Sequence, residues 1–207
     1  MANKKEIVAG IASAAAVIAT ASAASAADAG MLPDTWSGFY AGVSAGIMSG
    51  DLPFHRDSST LGTYALNSSA VVPGAFAGFN YETGKLVLGA ELGVQLSTPV
   101  QAVKGVNTGK YGLNNTLDAK AKIGYDLGKF MVYGFAGATS QSVAGSNHGT
   151  YNAFGFNFGA GLDAKVTEHI SIGAEYMRRE MQGFNVFTKA FAPFGENELA
   201  LRASYHF

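Results

Sequence analysis

Apolar and polar residues alternate along most of the chain from position 36 onward. In the first such segment, Phe39, Ala41, Val43, Ala45 and Ile47 share one face, with small or polar residues between them. A period of two residues predicts a β-strand with one apolar face. The same pattern predicts seven further strands, near 75–81, 86–96, 117–125, 130–141, 154–163, 170–179 and 199–207. The phase of segment 130–141 is ambiguous, because apolar residues occur on both of its faces.

The connections between these segments alternate in length. Three are short and carry polar or turn-forming residues, at 82–85, 126–129 and 165–169. Four are long, at 49–70, 97–114, 143–150 and 183–196. All five prolines avoid strand interiors, as strand pairing requires: Pro33, Pro53, Pro99 and Pro193 lie in connections, and Pro73 begins a strand. Short turns at one end and long loops at the other are typical of an outer-membrane barrel.

The distribution of charge indicates which face meets lipid. Charged residues make up 14% of the chain, against about 25% in ordinary soluble domains. Over the central window of the seven segments whose phase is clear, none falls on the apolar face, and the opposite face is rich in glycine. A soluble lipocalin-like barrel, the alternative, would need a charged exterior. The pattern therefore favours an all-β fold, an eight-stranded antiparallel transmembrane β-barrel with its apolar face outward.

The polar face carries the few charges of the strands. Four acidic residues face four basic residues there: Glu91, Asp118, Asp163 and Glu175 against Lys120, Lys122, Arg179 and Arg202. Eight strands enclose an interior just wide enough for side chains. We therefore expect an ion-pair network in the lumen, with glycines making room for it, that largely plugs the barrel.

Aromatic residues gather near the short-turn end. Such residues form girdles at the two membrane interfaces of outer-membrane barrels. The predicted periplasmic girdle comprises Trp36, Phe39, Tyr81, Tyr125, Phe130, Tyr205 and Phe207. Both chain ends then lie on the periplasmic side.

The N-terminus has the pattern of a secretory signal peptide. Lys4 and Lys5 precede a small apolar stretch, and Ala24-Ser25-Ala26 gives a small-x-small cleavage pattern. We expect a signal peptide at 1–26, a periplasmic lead-in at 27–35 and the barrel at 36–207. The chain contains no cysteine, and its net charge of −1 gives no basic patch for nucleic acid.

Two motifs resemble a known family. The opening Trp36-Ser37-Gly38-Phe39-Tyr40-Ala41-Gly42 resembles the W-x-G-F-Y-x-G start of small Gram-negative surface-antigen or opacity-like barrels of the OmpA type. The end of the chain, with Tyr205 and the terminal Phe207, resembles the signal that the barrel-assembly machinery recognises. The resemblance implies a bacterial outer-membrane location, with outer-membrane lipid and lipopolysaccharide as neighbours. No peptidoglycan-binding domain is expected after the last strand.

Catalytic, metal and cofactor sites are not predicted. His55 and His148 fall in separate long loops without metal-ligand spacing. His169-Ile170-Ser171 is similar to the H-x-S of outer-membrane lipid A deacylases, but it lies beside a short turn, on the side away from the outer leaflet.

The sequence thus favours a structural or surface-interaction protein with a plugged lumen, whose long loops carry whatever surface specificity exists; the sequence does not identify a ligand for them. The last loop contains an aromatic group, Phe184, Phe187, Phe191 and Phe194. A narrow, low-conductance porin-like channel for small ions or solutes is the alternative. An outer-membrane lipid-modifying enzyme and a soluble lipocalin-like binder are less favoured.

Overall fold

The computed structural model describes residues 35–56, 60–96, 98–100, 111–145, 149–185 and 190–207. The predicted signal peptide and all of the lead-in except Thr35 lie outside these residues, so both stay predictions. Within the described ranges, no helix is long and apolar enough to cross a membrane.

The described chain forms one antiparallel sheet. Its strands are β1 (Gly38–Arg56), β2 (Thr60–Thr83), β3 (Leu86–Gln95), β4 (Thr98–Val100), β5 (Tyr111–Asp126), β6 (Phe130–Gly145), β7 (Gly149–Lys165), β8 (Ile170–Asn185) and β9 (Ala190–His206). Strands β3 and β4 both pair with β5 and together occupy one position in the wall. The wall therefore has eight positions, which confirms the predicted eight-stranded barrel.

Pairing of the first strand with the last closes the barrel. The register of β1 with β9 runs without a shift from Tyr40↔His206 to Asp51↔Gly195. On its other side β1 pairs with β2, and β3 pairs with β5. In hydrocarbon an unpaired backbone group finds no water, so a spanning sheet must close in this way.

Side-chain burial confirms the predicted faces. Apolar residues such as Phe39 and Leu201 point outward and are 66% and 70% exposed, while charged side chains lie inside. The ambiguous segment is now assigned, because Met131, Tyr133 and Phe135 of β6 are buried in the lumen. Its outward face carries Phe130, Val132 and small residues.

Several strands are longer than the sequence predicted. The segment 49–70 was expected to be a loop, yet its backbone continues the β1–β2 ladder from Ser49↔Asn67 to Arg56↔Thr60. Likewise β8 and β9 pair out to Asn185↔Ala190. The loop prediction was wrong for these stretches because their apolar and polar residues do not alternate regularly, so the sequence pattern does not reveal the strand.

Close packing of the wall explains one of the inward-facing glycines. A Cβ atom at Gly137 would overlap the backbone carbonyl of Ala119 and lie 2.9 Å from Asn157 Oδ1. The missing side chain lets the neighbouring strand and the Asn157 amide approach, as expected for glycine within a strand.

Trp36 is not part of the lipid-facing girdle, so its predicted placement there was wrong. Its side chain is 1% exposed and closes the short-turn end of the lumen from within. The indole N–H donates to Asp126 Oδ1 at 3.1 Å and to the Gly128 carbonyl at 3.3 Å. The Lys165 ammonium lies 4.8 Å from the ring centre. The indole N–H finds acceptors at the polar mouth that lipid could not supply.

The other predicted girdle residues lie on the outside of the barrel. They are Phe39, Tyr81, Tyr125, Phe130 and Phe207, which are exposed, and Tyr205, which is half-buried. Their placement at the lipid interface stays a prediction.

Because Trp36 is the single tryptophan of the chain, fluorescence tests its position directly. We expect blue-shifted emission from protein in bilayers, with little quenching by brominated acyl chains or by aqueous iodide. As a control, the double variant Trp36→Phe, Phe39→Trp moves the indole to the lipid face and should be strongly quenched by the brominated chains. Equal lipid quenching of both proteins would place Trp36 in the girdle after all.

Candidate functional site: the charged lumen

Strand register brings the charged residues of the lumen together. Glu91 of β3 lies directly opposite Lys120 of β5, and Gly89 lies opposite Lys122. On the other side of the barrel, Glu175 of β8 pairs with Ala200, two residues from Arg202 of β9. Since alternate residues of a strand share a face, all these charges project into the same interior.

Five of these residues form what we call the inner cluster, nearer the short turns: Glu91, Lys120, Lys122, Glu175 and Arg202. Arg202 binds Glu91 through both of its terminal nitrogens, at 2.5 and 3.1 Å, and also contacts Glu175. Lys120 Nζ lies 2.5 Å from Glu175 and 3.2 Å from Glu91. Lys122 Nζ lies 3.3 Å from Glu91. Each carboxylate is therefore shared by at least two cations.

Aromatic side chains surround the inner cluster. The Tyr40 hydroxyl donates to Glu91 at 2.8 Å, and the Tyr133 hydroxyl donates to Glu175 at 3.1 Å. The Arg202 guanidinium lies 3.9 Å from the centre of the Phe76 ring, within the range of a cation–π interaction. Sequence reasoning missed these partners: Tyr40 lay on the polar face without an assigned role, and the phase around Tyr133 was ambiguous.

A second group, the outer cluster, lies nearer the long loops and comprises Asp118, Arg179 and Glu198. Arg179 binds Asp118 through Nη2 at 2.6 Å and Nε at 3.2 Å, and binds Glu198 through Nη1 at 2.7 Å. The amide of Gln95 donates to Glu198 at 2.5 Å. The amide of Asn157 donates to Asp118 at 3.1 Å, and the Thr139 hydroxyl also donates to it.

Two carboxylates of the lumen were missed, Glu196 and Glu198. Glu196 falls at the end of the segment predicted as a loop and Glu198 just before the predicted last strand, but β9 begins at Ala190. The signal was present, because counting back from Arg202 in steps of two reaches both residues. The buried charges of the described residues are therefore six acidic and five basic, not four and four: Glu91, Asp118, Asp163, Glu175, Glu196 and Glu198 against Lys120, Lys122, Lys165, Arg179 and Arg202.

Seven of the eight residues predicted for the network make direct ion pairs, as described for the two clusters. Asp163 is buried in the same lumen, but it forms no direct ion pair with the described residues. Between the clusters lies a cavity of about 20 Å³, lined by Glu91, Gln95 and Glu198 among others. That volume holds about one water molecule, so side chains fill this part of the barrel.

The suspected His169-x-Ser171 motif does not form a catalytic pair. Ser171 Oγ instead lies 2.9 Å from Nε2 of His206, and His169 Nδ1 lies 3.0 Å from the His206 carbonyl. Among the described residues no carboxylate orients His206, as a Ser-His-Asp arrangement would require. No group of three acidic, histidine or cysteine side chains in the described chain is arranged to hold a metal. The side chain of His55 and the whole of His148 lie outside the described residues.

Removal of one cation from the inner cluster should destabilise the barrel. In Arg202→Met the carboxylates of Glu91 and Glu175 lose their shared guanidinium, and breaking a buried pair costs about 3–5 kcal/mol. We expect the free energy of unfolding to fall by about 3 kcal/mol, since the two lysines remain. Urea unfolding in lipid vesicles, followed by Trp36 fluorescence, measures this change.

The matched control is Arg178→Met on the outer face of β8. Arg178 pairs with Glu180 at 2.7 Å, and both side chains are partly exposed. Such pairs contribute about 0–1 kcal/mol. Equal losses in the two variants would show that the inner cluster contributes no special stability.

Comparison with known proteins agrees with this architecture. Residues 12–207 match the family model described as an outer membrane protein beta-barrel domain. The chain is 30% identical over 151 residues to the 22 kDa outer membrane protein of Rhizobium leguminosarum bv. viciae, a match that covers 72% of this chain and 65% of that protein, just under two thirds. It is also 30% identical over 145 residues to the 25 kDa outer-membrane immunogenic protein of Brucella ovis, covering 69% of this chain and 68% of that protein.

Two solved structures share the fold at low sequence identity. Neisserial surface protein A has a TM-score of 0.55 at 16% identity, with 83% of this chain and 98% of that chain covered. The attachment invasion locus protein of Yersinia pestis has a TM-score of 0.50 at 14% identity, with 82% and 99% covered. The chain therefore belongs to the outer-membrane protein β-barrel family, and it is an integral protein of the bacterial outer membrane.

Proposed function

We propose that this protein is a barrel with a plugged lumen that carries a rigid platform for interactions at the cell surface. The observation that supports this most directly is the length of the strands. β1 has 19 residues and β2 has 24, whereas about 9–11 tilted residues cross a membrane. At a tilt of about 45°, 24 residues extend about 55 Å, against an apolar band about 25 Å tall.

The extra length lies on the side of the long connections. At the other end the strands are joined by short turns, for example two residues between Thr83 and Leu86. On the loop side, β1–β2, β6–β7 and β8–β9 stay paired up to their last described residues. Backbone pairing that continues beyond the lipid holds the ends of the strands in place, and rigid elements position binding residues more precisely than loops do.

The relatives support a role at the surface. The Brucella proteins are named outer-membrane immunogenic proteins, and a role of this kind in the present chain is our proposal. The aromatic group predicted in the last connection stays a candidate contact surface. The backbones of Phe184 and Phe191 pair across the β8–β9 hairpin, while the four side chains lie outside the described residues.

Three further elements complete the proposal. We infer that the chain has no enzymatic activity, in keeping with relatives that are named outer-membrane proteins and outer-membrane immunogenic proteins. Its lipid partners include lipopolysaccharide in the outer leaflet. Tyr205 and Phe207, whose ring centres lie 5.2 Å apart in an edge-to-face arrangement at the C-terminal end of β9, are recognised by the barrel-assembly machinery.

The absence of native cysteine allows the orientation and the platform to be tested by labelling. In Thr63→Cys the thiol lies on the β2 extension, and in Lys129→Cys it lies in the turn between β5 and β6. We expect a membrane-impermeant maleimide to label the first variant on intact cells, and the second only after the outer membrane has been permeabilised. Labelling in the reverse order would show that the barrel has the opposite orientation and that the platform does not face the cell exterior.

Conductance in a planar bilayer separates the plugged barrel from the narrow-channel alternative. We expect the wild-type protein to show no steady conductance above background, because the two clusters and Trp36 fill the lumen. A channel gated by the ion pairs should instead conduct, and Arg202→Ala should then increase its conductance several-fold. Steady single-channel steps in the wild type would favour the channel over our proposal.

A further inference from the structure

One carboxylate of the lumen lacks a partner. Glu196 is 1% exposed. It lies on the inner face of β9, two residues before Glu198 and closer to the long loops. The Gln141 side chain approaches it from across the lumen. Neither Glu196 oxygen has a hydrogen-bond partner of acceptable geometry among the described residues. Burying a carboxylate without compensation is costly, so Glu196 must be neutralised either by a proton or by a bound cation.

Other unpartnered atoms in the same half of the lumen share the chemistry of Glu196. They are also oxygens, on side chains whose nitrogens are already engaged: Gln95 Oε1, Gln141 Oε1 and Asn157 Oδ1. The Gln141 amide nitrogen, for example, donates to Thr116 at 3.0 Å. The outer lumen therefore presents several oxygen acceptors that have no hydrogen-bond partner among the described residues.

The charge of this region is also unbalanced. Arg179 is the cation that faces Glu196, together with the carboxylates of Glu198 and Asp118. All of the strong contacts of Arg179 go to those two carboxylates. One guanidinium against three carboxylates leaves a formal charge of −2. In the inner half, by contrast, the three cations of the inner cluster face Glu91, Glu175 and Asp163, so the formal charges balance.

We propose that the outer half of the lumen binds one hard divalent cation of the calcium and magnesium class, with Glu196 as its carboxylate ligand and Gln141 as an amide ligand. Hard divalent cations take carboxylate and amide oxygens, with water completing the coordination. A charge of +2 neutralises the excess of the outer cluster. The described residues contain no cluster of three metal-binding side chains, so this site depends on a single carboxylate supported by amides.

Calorimetric titration tests the site on the full-length mature protein in a non-ionic detergent. After treatment with EDTA and dialysis, CaCl2 and MgCl2 are titrated separately. We expect saturable binding of one cation per chain, weakened at least tenfold in Glu196→Gln. The control is Glu180→Gln, which removes the same charge from an exposed outward-facing carboxylate and should leave binding unchanged.

A second measurement uses only the wild-type protein, so it does not require that a variant folds. Manganese added to the isotope-labelled wild-type protein should broaden the side-chain amide NMR signals of Gln141 and Asn157 at substoichiometric amounts. The amide of Asn80, buried on the inner face of β2 toward the short turns, should be unaffected. Absence of saturable binding below 10 mM, equal binding to Glu196→Gln and wild type, or broadening that spares Gln141 would each overturn the proposal. The first result would show that Glu196 is neutralised by a proton instead.

Discussion

The need to pair every backbone amide and carbonyl inside lipid determines the rest of this structure. A sheet that crosses hydrocarbon must close, and β1 meets β9 to close it. Closure with eight strands leaves an interior the width of a few side chains. The outer face must be apolar, so alternation makes every second residue an inner one. The interior is filled by whatever those positions carry, which here is mostly polar and charged.

Filling a narrow interior with charge requires each charge to be matched locally. The inner cluster achieves this by sharing, since Glu91 contacts three cations and Arg202 contacts two carboxylates. The outer cluster does not, because the one guanidinium of Arg179 binds two carboxylates directly and also faces Glu196. The two halves of the lumen therefore differ in charge compensation. The charges of the inner cluster are matched by one another, with Trp36 between them and the short turns, whereas the outer cluster has unmatched negative charge that a cation can neutralise.

The alternation of residues in the sequence predicted the barrel, its lipid face and most of the lumen charges, because a period of two follows directly from strand geometry. It failed where the environment of a strand changes. Beyond the lipid the apolar face is no longer needed, so Glu196 was assigned to a loop and Glu198 to no strand, although both continue the inward phase. Trp36 was assigned to the girdle because aromatic residues are common at membrane interfaces. Its indole instead lies where the folded chain brings it within hydrogen-bonding distance of Asp126, a contact that the sequence pattern does not reveal.

Buried ion pairs seldom stabilise a protein more than well-packed apolar residues of similar volume would, so their presence here requires another reason. A barrel with an apolar interior would have two apolar faces, and nothing would define which face meets lipid. A one-residue slip of β5 flips every side chain to the other face and would place Lys120 and Lys122 in hydrocarbon. Each lysine would cost about 2–4 kcal/mol near the midplane. The charges of the lumen therefore fix the register of the strands, and the filled interior that excludes a wide pore follows from that requirement.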